Sequence, residues 1–337
     1  MLFQEKIHNF EIDGRKCSFQ TGKLALKSQS SILAQMGDTV ITVNINTAPA
    51  REDSDFFPLS VEYIEKFYAS GKINGSRFVK RERFPSDDAV LKARMIDRAF
   101  RSRFPHDYRD EVSVIVTVMS YDHDNDPLIL ALNAVSAGLL YSSCPFDGPI
   151  AGIRVGLDKD GLKSISSAMD DTSEEEMMNY IVAGDGERFT MIDAGCHIVP
   201  EEKVLEGMRM SLELMKPWME AQSEFVKKLE VKDKSYTPFT IPEELLTEMK
   251  EFLGEERIKD LLQKAEKNLH SQAQEEVIKN FEGKYPKNIL LEAYDNLQKK
   301  ALRKIVKEEN VRVDGRGIEE IREIATEIDL DRKSTRL

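Results

Sequence analysis

The sequence DEVSVIVTVMSYDHDNDPLILALNAVSAGLLY, residues 110–141, places an alternating apolar segment directly before a helical one. Every second residue from Val112 to Val118 is valine, which predicts a mostly buried strand. Asp126 and Pro127 then begin a helix, because proline is tolerated at an early helical position where its missing N–H has no intrahelical partner. A strand that leads into a helix in this way predicts an α/β or α+β domain.

Further strands and helices are predicted on both sides of this segment. Apolar and β-branched residues predict strands at Phe10–Ile12, Lys16–Phe19, Thr39–Ile45, Ile150–Leu157, Gly161–Ala168, Met177–Ala183 and Phe189–Ala194. A long helix is expected at Glu201–Leu229, and residues 243–308 predict two to four amphipathic helices. The strand-like character that returns at Val311–Arg316 predicts the start of another domain. We therefore expect an α+β domain at 1–235, an all-helical domain at 236–308 and a truncated domain at 309–337.

Composition narrows the class of protein. Hydrophobic residues make up 41% and charged residues 32% of the 337 residues, which is typical of a globular protein. The sequence has no apolar run long enough to span a membrane, and Met1–Lys6 reads as a cytosolic start rather than a signal peptide. The three cysteines are far apart, which predicts free buried thiols in a reducing compartment and argues against a disulfide scaffold or a zinc site. A cytoplasmic location follows as an expectation.

Charge is distributed unevenly along the chain. The formal net charge of −12 argues against a polyanionic partner when it is taken alone. Residues 77–103, however, contain nine arginines and lysines but only four acids, so this segment carries about +5 within an acidic chain. The local excess makes RNA a candidate partner.

A helix predicted from Ser86 to Phe104 carries part of this charge. Its apolar residues fall on one face: Ala89, Ala93, Ile96 and Phe100. Arg94, Arg98 and Arg101 cluster within about 60° of one another on the opposite side. Guanidinium groups suit phosphate, so this face predicts an RNA contact, with Asp97 placed to neutralise part of the charge.

The loop before the helix combines an aromatic ring with cations. Phe78, Lys80 and Arg81 suit single-stranded RNA, because a base can stack on the ring while the cations hold the backbone. The alternative is that Phe78 belongs to the core and that the charges pair with nearby acids.

No active site can be assembled from the residues alone. Asp122, Asp124 and Asp126 match alternate positions of a calcium loop, but Pro127 stands where glycine is needed and Asn133 where glutamate is needed. We expect this stretch to be a strand-to-helix loop with a helix N-cap. Phosphate-binding, metalloprotease and serine-hydrolase motifs are missing, and the five histidines are scattered. We predict neither catalytic nor metal-binding residues in this chain.

Several stretches together resemble the bacterial polynucleotide phosphorylase family. The densest runs from Asp55 to Ile73 and continues through 78–105, and the sequence at 145–156 also matches in order. Near the end, Arg312–Arg316 with Ile321 and Arg322 resembles the opening of the family's second core domain.

The resemblance implies an RNase PH-like fold, the ribosomal protein S5 domain 2-like fold, for the first domain. In the family, two such domains flank a helical segment and are followed by KH and S1 RNA-binding domains. A homotrimer threads RNA through a central channel, and inorganic phosphate removes nucleotides from the 3′ end as nucleoside diphosphates in mRNA degradation. Mg²⁺ supports this reaction in the full-length family enzyme, through ligands that we do not expect in this chain. RNA-degradation machinery is a further candidate partner.

The first core domain of the family lacks the working site, and this sequence agrees. Where active domains have a phosphate loop, the chain has acids that repel phosphate, at Asp124 to Asp126. Asp193 stands where active domains pair two aspartates. The family's basic aromatic loop matches Phe78 to Arg81, with Val79 in place of the usual second phenylalanine, and residues 331–337 depart from the family pattern.

Overall fold

The computed structural model describes residues 4–51, 54, 56–72, 84–158, 161–164, 177–264 and 267–328. The strands in these residues are β1 (Lys6–Ile12), β2 (Arg15–Thr21), β3 (Ser30–Met36), β4 (Thr39–Ala48), β5 (Leu59–Glu65), β6 (Glu111–Ser120), β7 (Ala151–Asp158), β8 (Gly161–Ser164), β9 (Met178–Gly184) and β10 (Phe189–Cys196). The helices are α1 (Asp87–Arg101), α2 (Pro127–Tyr141), α3 (Glu201–Lys227), α4 (Glu243–Leu253), α5 (Glu255–Lys264), α6 (Lys267–Phe281) and α7 (Lys287–Glu309), with a 3₁₀ helix at Phe67–Ser70.

The first unit, which ends at Phe239, contains two sheets. The larger sheet has the strand order β1-β2-β3-β4-β6-β5, and β5 runs parallel to β6 at one edge, whereas the other neighbours are antiparallel. The smaller sheet is antiparallel, in the order β10-β9-β7-β8. Strand β5 reaches its parallel neighbour through a crossover that contains α1.

Helix α2 contacts both sheets, through β3 and β4 on one side and β7 on the other. Its residues from Pro127 to Leu139 are all buried, as expected of a helix that is apolar on every side. Buried polar groups link it to its neighbours: Gln222 on α3 donates to Asn133 Oδ1 at 3.1 Å and to the carbonyl of Ile150 at 3.0 Å. The centre of the first unit therefore lies at α2.

Helix α3 closes the unit by packing against β1 and β7. Trp218 on α3 lies edge-on to Phe10 of β1, with ring centroids 5.7 Å apart. His8 on β1 is buried, and its Nδ1 lies 2.7 Å from Lys228 Nζ. Burial lowers the pKa of His8, the neighbouring Lys228 charge lowers it further, and Glu224 acts in the opposite direction. The first strand and the last helix of the unit are thus in direct contact.

The second unit, from Thr240 onward, has its own apolar core. Side chains from all four of its helices meet there: Leu245, Met249, Leu253, Ile258, Leu261, Ala273, Val277, Phe281, Leu290, Ala293, Tyr294 and Leu297. None of the helices in the described parts of either unit combines the length and the apolar character needed to cross a membrane.

Most predicted elements are present in the part of the chain that the structure describes, but several features differ from the predictions. Strands β3 and β5 were not predicted. Cys196 is exposed, so the prediction of three buried thiols is wrong for this residue and correct for Cys17 and Cys144. The strand character at Val311–Arg316 is reduced to an isolated bridge between Val311 and Gly317. Of the strand predicted at Gly161–Ala168, residues Gly161–Ser164 form β8, and the remaining four residues fall outside the described part of the chain. The two units divide four residues beyond the predicted boundary at 235.

Candidate nucleic-acid interface

The local sequence explains where α1 begins and which of its faces is buried. Ser86 is the N-cap, and its side-chain oxygen accepts a hydrogen bond from the N–H of Ala89 at 3.1 Å. Two aspartates occupy the first turn and two arginines the last, which complements the helix dipole. The buried residues of the helix are Ala89, Ile96, Ala99 and Phe100, so the predicted apolar face is the one that packs.

The three predicted arginines of α1 are all exposed, but their guanidinium groups have different neighbours. Arg101 pairs with Asp97 at 2.7 Å and donates to the carbonyls of Phe57 at 3.0 Å and Leu59 at 3.1 Å. Arg98 donates to the carbonyl of Ile192 on β10 at 3.2 Å. Arg94 has no hydrogen bond or ion pair within the described chain. Arg101 therefore holds the chain at the start of β5 in place, whereas the guanidinium of Arg94 has no partner among the described residues.

Arg94 lines an open groove of about 1200 Å³ between β5, the 3₁₀ helix and α1. Phe67 and Phe84 also line this groove, and they expose 42% and 88% of their surface, respectively. Lys72 lies at the same groove and is exposed. Two aromatic rings and two cations thus share one open surface, which we call the β5–α1 groove.

The carboxylates around the β5–α1 groove are largely neutralised by other residues. Lys92 lies 2.8 Å from Glu65 and 2.5 Å from Asp88. Burial acts to lower the pKa of Lys92, but hydrogen bonds to Asp88 and Glu65 outweigh burial and raise it. Asp97 is held by Arg101. Glu62 is exposed and also lines the groove, together with the three cations Lys66, Lys72 and Arg94.

Phe78, Lys80 and Arg81 lie outside the described residues. The described chain ends at Lys72 on one side of them and resumes at Phe84 on the other. Both flanking residues line the β5–α1 groove. The groove and the predicted RNA-contacting loop are therefore adjacent along the chain.

The aspartate-rich loop at 122–126 has a structural role. Asp126 caps α2 by accepting from the N–H of Leu128 at 2.8 Å, as predicted, and it pairs with Arg154 at 3.2 Å. Asp122 accepts hydrogen bonds from the N–H groups of Asp38 at 2.9 Å and Thr39 at 3.1 Å. These oxygens are taken up by protein donors rather than presented to a ligand.

The described residues do not fit a magnesium site. Among them, no three His, Cys, Asp or Glu side chains converge as metal ligands would. Asp193 on β10 is half-buried and has no second carboxylate in such a group.

Sequence reasoning did not single out Lys72, Phe67 and Phe84 as site residues. Their signal was the strong exposure of aromatic rings beside cations, which a sequence alone does not reveal. The sequence also did not predict that Arg101 makes structural hydrogen bonds while Arg94 lines the groove. The carbonyls that Arg101 binds lie more than 40 positions away in the chain.

Comparison with known proteins identifies the class of the first unit. Residues 13–145 match the family model for the 3′ exoribonuclease family, domain 1. Residues 13–145 of the first unit, from β2 through α2, thus match an RNase PH domain, and the α+β prediction is confirmed.

Curated relatives extend the similarity over the rest of the chain. A polyribonucleotide nucleotidyltransferase of Caldicellulosiruptor saccharolyticus is 37% identical over 96% of this chain and 47% of that protein. The enzyme of the same name from Thermus thermophilus is 36% identical, with the same coverage of both chains. The chain is therefore a homologue of the polyribonucleotide nucleotidyltransferases and spans about half the length of the relatives it matches. Among solved structures, rice (Oryza sativa) Rrp46 matches with a TM-score of 0.45 at 14% identity, over 67% of this chain and 94% of that one.

Proposed function

We propose that this chain is the RNA-guiding half of a phosphate-dependent 3′-to-5′ exoribonuclease. In this reaction, an oxygen of inorganic phosphate attacks the terminal phosphodiester of RNA and the bond to the 3′ oxygen breaks. Each cycle releases one nucleoside diphosphate and leaves the RNA one nucleotide shorter. The observation that carries the RNA contact is the β5–α1 groove, where Arg94 and Lys72, which form no ion pair with a described residue, lie beside exposed Phe67 and Phe84.

The names of the relatives support the activity, and the physical chemistry of the groove supports the substrate. Cations attract the phosphodiester backbone and aromatic rings stack on bases without regard to sequence. The proposal places Phe78, Lys80 and Arg81 on the same RNA path, together with Arg94 and Arg98, and gives Arg101 a structural role. Magnesium dependence, a cytoplasmic location, a homotrimer and a role in mRNA degradation belong to the proposal through the family resemblance.

A second candidate function is a non-catalytic RNA-binding or assembly module. It is favoured by the aspartate loop at 122–126, in which the carboxylates of Asp122 and Asp126 accept hydrogen bonds from protein donors. Both candidates bind RNA, and they differ in whether this chain takes part in nucleotide release.

Release of ADP separates the two candidates. We expect the purified chain to release no ADP from poly(A) with phosphate and magnesium, because its described residues hold no group of side chains that could bind the metal. Addition of the remaining half of the Thermus thermophilus relative is expected to restore release if this chain guides RNA for a catalytic partner. Robust release by the chain alone would show that the active site has been misplaced, and no release from the mixture would favour the binding module.

RNA binding itself is tested by the double variant Lys80→Ala with Arg81→Ala. We expect weaker binding of oligo(A) and a shallower dependence of the binding constant on salt, by about 0.7 per lost phosphate contact. The measurement is a fluorescence titration at several salt concentrations. An unchanged affinity and salt slope would remove RNA contact at these residues.

A further inference from the structure

The last helix of the second unit carries a row of exposed cations. Lys300, Arg303, Lys304 and Lys307 on α7 are all exposed. At 3.6 residues per turn, they fall within about 100° of arc and extend about 10 Å along the helix axis. We call these four residues the α7 basic stripe.

Most of the α7 basic stripe has no carboxylate partner. Within the described chain, Lys300, Arg303 and Lys307 make no ion pair. Lys304 lies 3.7 Å from Glu255, whose carboxylate is already held by Lys250 at 2.7 Å. Other cations of the same unit are paired, and these include Lys250, Arg257, Lys259, Lys284 and Lys299. Exposed Glu308 is the nearest acid along the helix, and it forms no ion pair with the stripe.

The local physics of the helix does not account for this arrangement. Lys300 and Lys304 are four positions apart, as are Arg303 and Lys307, so like charges face each other and destabilise the helix. Cations near a helix C-terminus interact favourably with the dipole, but only within the last turn. That effect explains Lys307 and leaves Lys300 and Arg303 unexplained. An anion that passes along the stripe would relieve the repulsion.

We propose that the α7 basic stripe is a second binding site for the phosphodiester backbone of single-stranded RNA. This inference rests on the proposed function, which makes RNA the polyanion that the chain meets. A row of unpaired cations binds phosphates at regular intervals along a strand and is indifferent to base identity. Because the whole chain is acidic, the stripe acts at short range, within a Debye length of about 10 Å.

The test compares two triple variants of the full chain. The first is Lys300→Gln, Arg303→Gln and Lys307→Gln, which removes the unpaired cations of the stripe. The matched control is Lys259→Gln, Lys284→Gln and Lys299→Gln, which removes the same charge from paired positions of the same unit. We expect the stripe variant to bind labelled oligo(A) about tenfold more weakly at low salt, with a salt slope that is smaller by about 2. The control is expected to stay close to the unmodified chain.

Equal losses in both triple variants would overturn the inference, because net charge rather than the stripe would then govern binding. Unchanged binding by the stripe variant would also overturn it. Loss of binding to polyglutamate with no effect on RNA would assign the stripe to an acidic protein segment instead. If circular dichroism shows that the triple variant loses helix, the single variants Lys300→Gln and Arg303→Gln decide, each with an expected slope change of about 0.7. The Lys80→Ala with Arg81→Ala variant reports separately on the proposed function.

Discussion

Arg94 and Arg101 lie on one face of α1, yet the structure gives them opposite tasks. Arg101 has its guanidinium bound to Asp97 and to the carbonyls of Phe57 and Leu59. Arg94 lines the β5–α1 groove and makes no hydrogen bond or ion pair with a described residue. Charge alone does not distinguish the two residues, but their hydrogen bonds do.

The two arginines are expected to respond differently to replacement by alanine. Arg101→Ala should lower the free energy of unfolding by about 1–2 kcal/mol, since it removes the cation paired with Asp97 and one donor from each of the carbonyls of Phe57 and Leu59. Arg94→Ala should change the free energy of unfolding by less than about 0.5 kcal/mol while weakening RNA binding. Urea unfolding and RNA titration of both variants check this. If Arg94→Ala proves as destabilising as Arg101→Ala, the assignment of roles is mistaken.

At the scale of the elements, the carboxylate of Asp122 joins two connections of the fold. It links the turn between β3 and β4 to the loop between β6 and α2. Asp122 accepts from the N–H groups of Asp38, Thr39, Asp124 and Asn125 and from the side chains of Thr39 and Asn125. Gly37 in this turn has a φ of 58°, and a Cβ there would lie 2.4 Å from Asn125 Nδ2. Glycine is thus required for the turn to approach the loop so closely.

The free energy of unfolding should depend on pH through Asp122. Burial acts to raise its pKa, but hydrogen bonds from Asn125, Thr39 and the backbone lower it to about 2. Because this folded-state pKa is below the unfolded value of about 3.9, the carboxylate stabilises the fold above about pH 4. The stabilisation is lost as pH falls from 4 toward 2.

Asp122→Asn is expected to lower the free energy of unfolding by about 1–3 kcal/mol at neutral pH, because an amide N–H₂ would face backbone donors. The gap between the variant and the unmodified protein should narrow as pH falls from 4 toward 2. Urea unfolding at a series of pH values measures both. A gap that is constant over this range would show that the carboxylate charge is not responsible.

Local periodicity was sufficient for some elements and not for others. Strand β6 and helix α2 were predictable because apolar residues alternate clearly in the strand and follow helical spacing in the helix. Asp126 is also a favourable N-cap residue. Strand β5 was missed although its residues alternate, because it is a short edge strand whose partner β6 lies across the α1 crossover. The β5–α1 groove could not be predicted for a related reason. Its shape and free charges depend on which acid meets which cation, and Lys92 reaches Glu65 across 27 positions.

At the scale of the whole molecule, the described residues form two separate cores, and each unit carries its own group of exposed cations. The first unit buries α2 between its sheets, and the second unit buries the facing sides of four helices. The β5–α1 groove belongs to the first unit and the α7 basic stripe to the second. A net charge of −12 therefore conceals two local surfaces that suit a polyanion.

The contact between β1 and α3 has a consequence for biosynthesis. His8 and Lys228 touch although they are 220 positions apart in the chain. A ribosome that adds roughly 5–20 residues per second needs about 10–40 s to make the intervening polypeptide. Throughout most of that interval, Phe10 cannot contact Trp218, because α3 has not yet been synthesised. The apolar side of the nascent sheet is then exposed to water, chaperones or other nascent chains. The pace of translation, rather than the strength of any single contact, sets how long this side stays uncovered.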